Sequence, residues 1–343
     1  MKSKVSMQSI ADRLNISKNS VSQALTGKPG VSEETRKLVL ATANEMGYEY
    51  PNRRKQRETA SKNIALIASE FAFSQKGFFG EIYLSVEKEL LSKGMNLTIQ
   101  SITPFARDHL ILPPFIENRT VDGVLILSHI SNEYIQKIIH TGIPTVLIDH
   151  HDPALTADAI LTNNRFAAFN AIKYLHELGH TSIAFVGDTS FSPSYLERLE
   201  GYLMAFKKLG LEAKDEWMIT SIKETPEEVE AAINALADLP TAWFCVNDGL
   251  GFYVMSNLQK KGLQVPEDAS VCNFDNGQLS KIANPRITTM DIDLEFYGKK
   301  GLQQLLWRLE NPEEPHQEIL LPAKLVKRES TGAVPRIQQK RQI

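Results

Sequence analysis

Two cysteines in 343 residues, Cys245 and Cys272, are too few for a disulfide framework or for a metal site of their own. Both lie in apolar, strand-like runs, AWFCVND and ASVCNFD, which predicts buried free thiols. Long hydrophobic runs are missing too: no stretch reaches the roughly 18 apolar residues that a membrane-spanning helix needs. The opening MKSKVSMQSIADRL carries no apolar signal run, so the expected compartment is the cytoplasm. Catalytic signatures are also lacking. There is no G-x-S-x-G elbow, no P-loop and no G-x-G-x-x-G after a strand, and the chain reads as a non-enzyme without a cofactor or metal.

Charge is present and unevenly spread. Residues 1–62 hold twelve Lys/Arg against six Asp/Glu, while the remainder holds 26 against 35. A small basic head on a large acidic body points to an anionic partner for the head alone.

The head predicts three short helices. Ile10, Ala11 and Leu14 recur at helical spacing in the first, Met7–Leu14. Ser17 is a suitable N-cap for a second, from Lys18 to Leu25, with Val21, Ala24 and Leu25 facing inward. TGKPG ends it. Ser32 caps a third, whose stripe is Val39, Ala43 and Met46 and which stops at Gly47. Lys18 with Ser22, and Asn19 with Gln23, form i,i+4 pairs on the outer face of the second helix. A polar face of that kind suits a helix-turn-helix lying in the major groove of DNA. Ser17 would meet phosphate, Lys18 would donate to guanine, and Asn19 and Gln23 would pair with adenine.

PNRRKQRETASKN follows as a basic linker. From Asn63 apolar strands alternate with amphipathic helices in two series, the second beginning near Arg165. Many of those helices stop at Gly. This pattern predicts two doubly wound parallel sheets with a cleft between them. In such sheets ligands bind beyond the carboxyl ends of strands. Asp149, Asn247, Asp248 and Asp275 stand at those ends, and Arg198 lies on the helix after SIAFVGD. One arginine with several acids and amides suits a polyhydroxylated ligand, although Asp and Asn at strand ends serve equally as turn or cap residues. Phe71, Phe73, Phe78 and Phe79, foremost Phe79, are placed to stack on a sugar face, though two of them serve equally as core. His150 and His151 are expected to face solvent.

With these parts in place, the sequence resembles the LacI/GalR family of bacterial transcription regulators over residues 4 to about 331. The resemblance rests on VSMQSIADRLNISKNSVSQALTGKPGVSEETRKLVLATANEMGYEYPN, DGVLIL, GIPTVLID, LGHTSIAFVG, ERLEGYLMAF, VNDGLGFYV and LVKREST. It implies a homodimer on a palindromic operator. It also implies an effector domain like periplasmic sugar-binding proteins, in which Asp149, Arg198, Asn247 and Asp275 contact the effector. The organisation expected is a DNA-binding head over 1–50, a hinge over 51–62, an effector and dimerisation body over 63–331, and a disordered tail over 332–343. A sugar or sugar derivative is the expected effector, with a nucleobase second. The alternative function is a small-molecule sensor whose head has lost specific DNA recognition.

Three departures from the family pattern matter. VSQALTG stands where VSRVLNG is usual, so Gln23 replaces an arginine and the family's operator preference does not carry over. The linker has no leucine to wedge into the minor groove, which leaves Arg53, Arg54, Lys55 and Arg57 to engage phosphates or a narrow groove. VCNFDN carries Asn where Gly and Asp are favoured, so the pocket is expected to differ around Asp275 and Asn276. HELGH, His176 to His180, matches a zinc-protease motif in letters only, because Gly179 is expected to end the helix and turn His180 away.

Overall fold

The computed structural model describes residues 5–26, 30–46, 48, 62–74, 77–127 and 130–335. The chain divides into two compact units, residues 1–62 and 63–343. Gly47, the linker cations Arg53, Arg54, Lys55 and Arg57, and the tail from residue 336 lie outside the described residues.

The first unit holds helices α1 (Met7–Leu14), α2 (Lys18–Thr26) and α3 (Glu33–Glu45). Serines start all three. The Ser9 amide donates to Ser6 Oγ at 3.2 Å, the Ser20 amide to Ser17 Oγ at 3.0 Å and the Thr35 amide to Ser32 Oγ at 3.1 Å. Asn15, in left-handed backbone at φ 51°, makes the tight turn between α1 and α2. The expected stripes meet in one small core of Ile10, Ala11, Val21, Ala24, Val39 and Ala43, edged by Leu14, Ile16, Leu25 and Met46.

In the second unit the strands are, in chain order, β1 (Asn63–Ser69), β2 (Asn96–Ile102), β3 (Gly123–Leu127), β4 (Thr145–Ile148), β5 (Asp158–Thr162) and β6 (Ile183–Val186). They continue as β7 (Met218–Ile219), β8 (Ala242–Cys245), β9 (Ser270–Phe274), β10 (Thr288–Ile292), β11 (Glu318–Leu321) and β12 (Ala323–Val326). The helices are α4 (Glu70–Ser74), α5 (Phe79–Ser92), α6 (Pro104–Asp108), α7 (Pro114–Glu117), α8 (Asn132–Ile139) and α9 (Asn164–Glu177). After them come α10 (Pro193–Leu209), α11 (Pro226–Ala235), α12 (Asp248–Lys260), α13 (Gln278–Ile282) and α14 (Leu294–Glu310).

Two sheets result. The first runs β11-β5-β4-β3-β1-β2 with every neighbour parallel. The second runs β12-β10-β9-β8-β6-β7, parallel except for β10 with β12. Their apolar strands are covered on both faces. Along β1, Ile64, Leu66 and Ala68 join one core while Ala65 and Ile67 join another, the two-residue alternation of a strand. Cys245 and Cys272 are buried free thiols, as expected.

The two series are not simply consecutive. The chain leaves the first sheet after β5, returns through α14 and β11, and leaves again into β12. Helix α14 packs closely on α5: a Cβ at Gly298 would stand 2.5 Å from the Ile82 carbonyl oxygen, and Ser85 Oγ donates to the Glu295 carbonyl at 2.6 Å. Its far end is held by Arg308, which donates to both oxygens of fully buried Asp158 on β5, at 2.7 and 2.9 Å. Alternating strands and helices cannot show this return, because periodicity carries no information on which sheet a helix covers.

Candidate functional site

Polar residues at the ends of β4, β8 and β9 come together between the two sheets. Asp149 follows β4 with φ 58° and Asp275 follows β9 with φ 84°, both in the left-handed region that Asp tolerates better than most side chains. Asn247 follows β8 and caps α12, its Oδ1 accepting from the Leu250 amide at 2.8 Å. Thus Asn247 is both a cap and a cleft residue, and the two readings of a strand-end Asn do not compete.

Arg198 on α10 is the centre of the set. Its side chain is buried; Nε donates to Asn164 Oδ1 at 2.9 Å, and Nη1 donates to the Val246 carbonyl and lies 3.4 Å from Asp275 Oδ1. The guanidinium carbon sits 3.7 Å from the centroid of the Phe274 ring and 5.5 Å from that of Tyr195. Nη2 makes no hydrogen bond among the described residues.

Three carboxyl groups stand in this cleft, and two of them, Asp149 and Asp275, feel the pull of Arg198. Ser194 Oγ donates to Asp149 Oδ1 at 3.3 Å, joining the second sheet's helix α10 to the first sheet. Burial pushes Asp149 up to about 7, with Arg198 opposing and Asp275 adding to the rise. Burial likewise raises Asp275 to about 6 against the pull of Arg198. Glu224 is raised by burial, although Asn247 Nδ2 donates to its Oε2 at 2.6 Å; the same amide donates to Tyr195 Oη at 2.8 Å.

The histidines depart from expectation. His150 is buried, its Nε2 3.0 Å from Asn132 Oδ1. His151 reaches across to buried Glu197 on α10, 3.2 Å away, and that contact raises its pKa. Both rings turn inward because an acid or amide awaits each there, which local sequence does not reveal. The aromatics separate as well. Phe79 is core, 9% exposed, edge-on to Phe78 at 4.9 Å and outside the hydrogen-bonded set. Phe71 is exposed and meets Phe191 edge-on at 5.6 Å; Phe191 stacks on Tyr195 at 5.7 Å. An aromatic row therefore spans the cleft mouth from the β1 side to α10.

Asn276 and Asn273, the departures in VCNFDN, serve the scaffold. Asn276 Nδ2 donates to Asp291 Oδ1 at 2.7 Å, and its Oδ1 accepts from Arg328 Nη2. Buried Asn273 donates to Ser280 Oγ at 2.9 Å. Sequence reading passed over Ser194, Tyr195, Glu197, Asn164, Phe191 and Glu224. A signal existed for the first two, which lie four and three residues before Arg198 on the same helix face. Glu224, in an irregular segment, carried none.

HELGH has a structural role. Helix α9 ends at Glu177 and Gly179 has φ 95°. His180 is fully buried, with Nδ1 2.9 Å from Thr241 Oγ1 and Nε2 3.0 Å from Ser270 Oγ and 3.1 Å from the Gly332 carbonyl oxygen. On α2, Lys18 and Asn19 are exposed, Ser17 is an exposed cap, and Ser22 and Gln23 are half-buried. The Gln23 amide lies beside Gly30: a Cβ there would be 2.9 Å from Gln23 Nε2. Gln23 therefore folds toward the end of its own helix rather than standing fully on the outer face.

Residues 6–52 match the model of bacterial regulatory proteins, lacI family, and residues 172–331 match that of a periplasmic binding protein-like domain. The chain is 31% identical to the NTD biosynthesis operon regulator NtdR of Bacillus subtilis (strain 168), over 94% of this chain and 98% of that protein. The chain belongs to the lacI family of bacterial regulatory proteins. Another lacI-family relative, the HTH-type transcriptional repressor PurR of Vibrio vulnificus (strain CMCP6), is 28% identical over 96% of this chain and 99% of its own. The lacI-family fold also matches the transcriptional regulator CelR–cellobiose complex, with TM-score 0.70 and 23% identity over 95% of this chain and 99% of that one. The lac repressor dimer bound to operator and the anti-inducer ONPF matches with TM-score 0.68 and 20% identity, over 96% and 99%. No helix among the described residues is long and apolar enough to cross a membrane.

Proposed function

We propose that this lacI-family regulator represses transcription as a homodimer on a palindromic operator, under the control of a sugar or sugar derivative bound between its two sheets. The observation that carries the reading is Arg198, buried and fixed on three sides, with one guanidinium nitrogen left for a ligand among acids and amides from both sheets. Carboxylates and amides accept from hydroxyls, and a guanidinium forks across two oxygens. Asp149 belongs to the first sheet, and Arg198, Asn247 and Asp275 to the second. A ligand touching both favours one arrangement of the sheets over the other. Linkage then makes operator affinity depend on it, with a coupling of about 1–3 kcal/mol. PurR is named as a repressor, one related structure holds cellobiose, another holds ribose, and the lac repressor stands on its operator as a dimer.

In the head, Lys18, Asn19, Ser22 and Gln23 would read bases and Ser17 would approach phosphate. Arg53, Arg54, Lys55 and Arg57 would hold the backbone or a narrow minor groove. The divisions 1–50, 51–62 and 63–331 correspond to reading head, hinge and effector body. The test is calorimetric titration with a panel of mono- and disaccharides, repeated on Arg198→Lys, with operator binding measured in parallel. A binder that shifts operator affinity five-fold or more, and weakens at least about tenfold in Arg198→Lys, supports the reading. A panel without any binder contradicts it.

A further inference from the structure

Two adjacent histidines after β4 have different commitments. His150 stays with the first sheet's own helices, its Nε2 3.0 Å from Asn132 Oδ1 at the start of α8. His151 crosses to the other sheet's side: its buried Nε2 stands 3.2 Å from Glu197 Oε1 on α10. The contact sits where it sets the spacing of the two walls, because His151 lies two residues after Asp149 and Glu197 immediately precedes Arg198.

Glu197 does not depend on His151 for its pairing. It is 4% exposed, and the start of α9 supplies two donors, Arg165 Nη1 to Oε1 at 2.8 Å and Asn164 Nδ2 to Oε2 at 2.9 Å. Burial pushes this carboxyl up, but His151, Asn164 and Arg165 together hold it below the usual glutamate range, so it is ionised at neutral pH. His151 can therefore leave without stranding a buried charge, which a purely structural ion pair does not allow.

The charges around the ring favour the imidazolium while the pair is made. Glu197 raises the pKa of His151 most, burial opposes, Glu318 on β11 adds to the rise and Arg165 on α9 subtracts from it. Arg165 is shared with Glu200 at 2.5 Å. On the same loop, Asp149 accepts from Ser194 Oγ, and Asp152 Oδ1 accepts from the Ala154 amide at 2.8 Å. The net direction is upward from the ordinary 6.5. Parting the walls returns the ring to water and to that ordinary value. The paired arrangement thus binds the proton more tightly, so it gains weight as pH falls through the raised value toward 6.5 and gains no more once pH is well below 6.5.

Resting on the reading of this protein as a regulator whose two sheets rearrange, we propose that His151 and Glu197 form a proton-operated latch across the cleft. Protonation of His151 fastens the loop after β4 to α10, favours the arrangement described here, and makes the regulator's response depend on pH within the physiological range.

The test needs neither sugar nor DNA. Donor and acceptor dyes on Glu133→Cys and Lys207→Cys, both exposed and on opposite sides of the cleft, report the arrangement in full-length protein diluted with unlabelled subunits; Cys245 and Cys272 are buried and stay unlabelled. Energy transfer is expected to change between about pH 8 and about pH 6. Asp149 and Asp275 titrate nearby, at about 7 and about 6, so the latch is read as the part of that change lost in His151→Gln, which keeps both carboxyls. More than half is expected to be lost. His151→Lys, a cation throughout, is expected to hold the low-pH value at about pH 8. Melting curves confirm that both variants are folded, and a carbon-13 histidine titration is expected to place His151 above the ordinary histidine value and to bring it back in Glu197→Gln. A His151 that titrates at or below the ordinary value, no change in transfer, or a change of which His151→Gln keeps more than half overturns the latch and leaves the reading of sugar and operator binding standing. A sugar panel without any binder overturns that reading and leaves the dye signal as it is.

Discussion

Arg198 commits Nε to Asn164 and Nη1 to the Val246 carbonyl and Asp275, so its orientation is set before any ligand arrives. A lysine places one point charge where this fork makes several contacts, and Arg198→Lys is expected to lose ligand response while operator binding persists. Asp149 shows the cost of such a site in pH. Its carboxyl titrates near 7 when folded and near 3.8 otherwise. Between those values the unfolded chain releases the proton first. The folded body therefore loses stability as pH rises from about 4 to about 7, and loses no more beyond that. Asp149→Asn removes the effect, so its melting temperature relative to the parent should climb between about pH 4 and pH 7 and then level off; an unchanging difference would mean a carboxyl ionised throughout. Gly251 gives a packing test. A Cβ there would stand 2.5 Å from Asn273 Nδ2, and Gly251→Ala is expected to destabilise by about 1–3 kcal/mol in denaturant titration. A neutral result would show that Asn273 can move aside.

Helices were the most legible elements. Pro193–Leu209 is the span that its N-terminal proline and C-terminal Gly210 announce, because Pro suits the first turn and Gly the left-handed cap. Asp149, Arg198, Asn247 and Asp275 were legible as strand-end and helix-face residues, and the structure brings them together. Strands were harder where they are short or mixed in polarity. β5, DAILT, and β11, EILL, are brief segments whose parallel pairing joins residues far apart in the chain. The α9–β6 turn carries a testable contact of that long-range kind. His180 bridges Thr241, Ser270 and Gly332, all distant in sequence. Its removal in His180→Ala strands those buried groups and should cost about 2–4 kcal/mol, with zinc having no effect on either melting curve. Stabilisation of the parent by stoichiometric zinc would contradict the structural role.

Across the whole second unit, the return of α14 and β11 to the first sheet makes the two subdomains one interwoven body. The Asp158–Arg308 pair fastens that return, and Asp158→Ala leaves a buried guanidinium without its partner, for an expected loss of about 3–5 kcal/mol on unfolding of the body. A much smaller loss would mean that the carbonyls around Arg308 suffice to hold it. Contacts that cross between the sheets include polar and aromatic ones at the cleft, Ser194 with Asp149, His151 with Glu197 and Phe71 with Phe191, beside apolar side chains of both sheets that share one core. Polar and aromatic contacts of that kind can exchange for contacts with a ligand, which is what control by a small ligand requires. The central claim joins that cleft to a DNA-reading head. Its most direct test is selection from random duplex DNA by the full-length protein at physiological salt, with bound and unbound pools compared. A two-fold symmetric site, with adenine where Gln23 falls and arginine readers of the family would prefer guanine, is the predicted result. Recovery of no consensus, with binding that only falls steeply as salt rises, would contradict it and leave a sensor whose head no longer reads sequence.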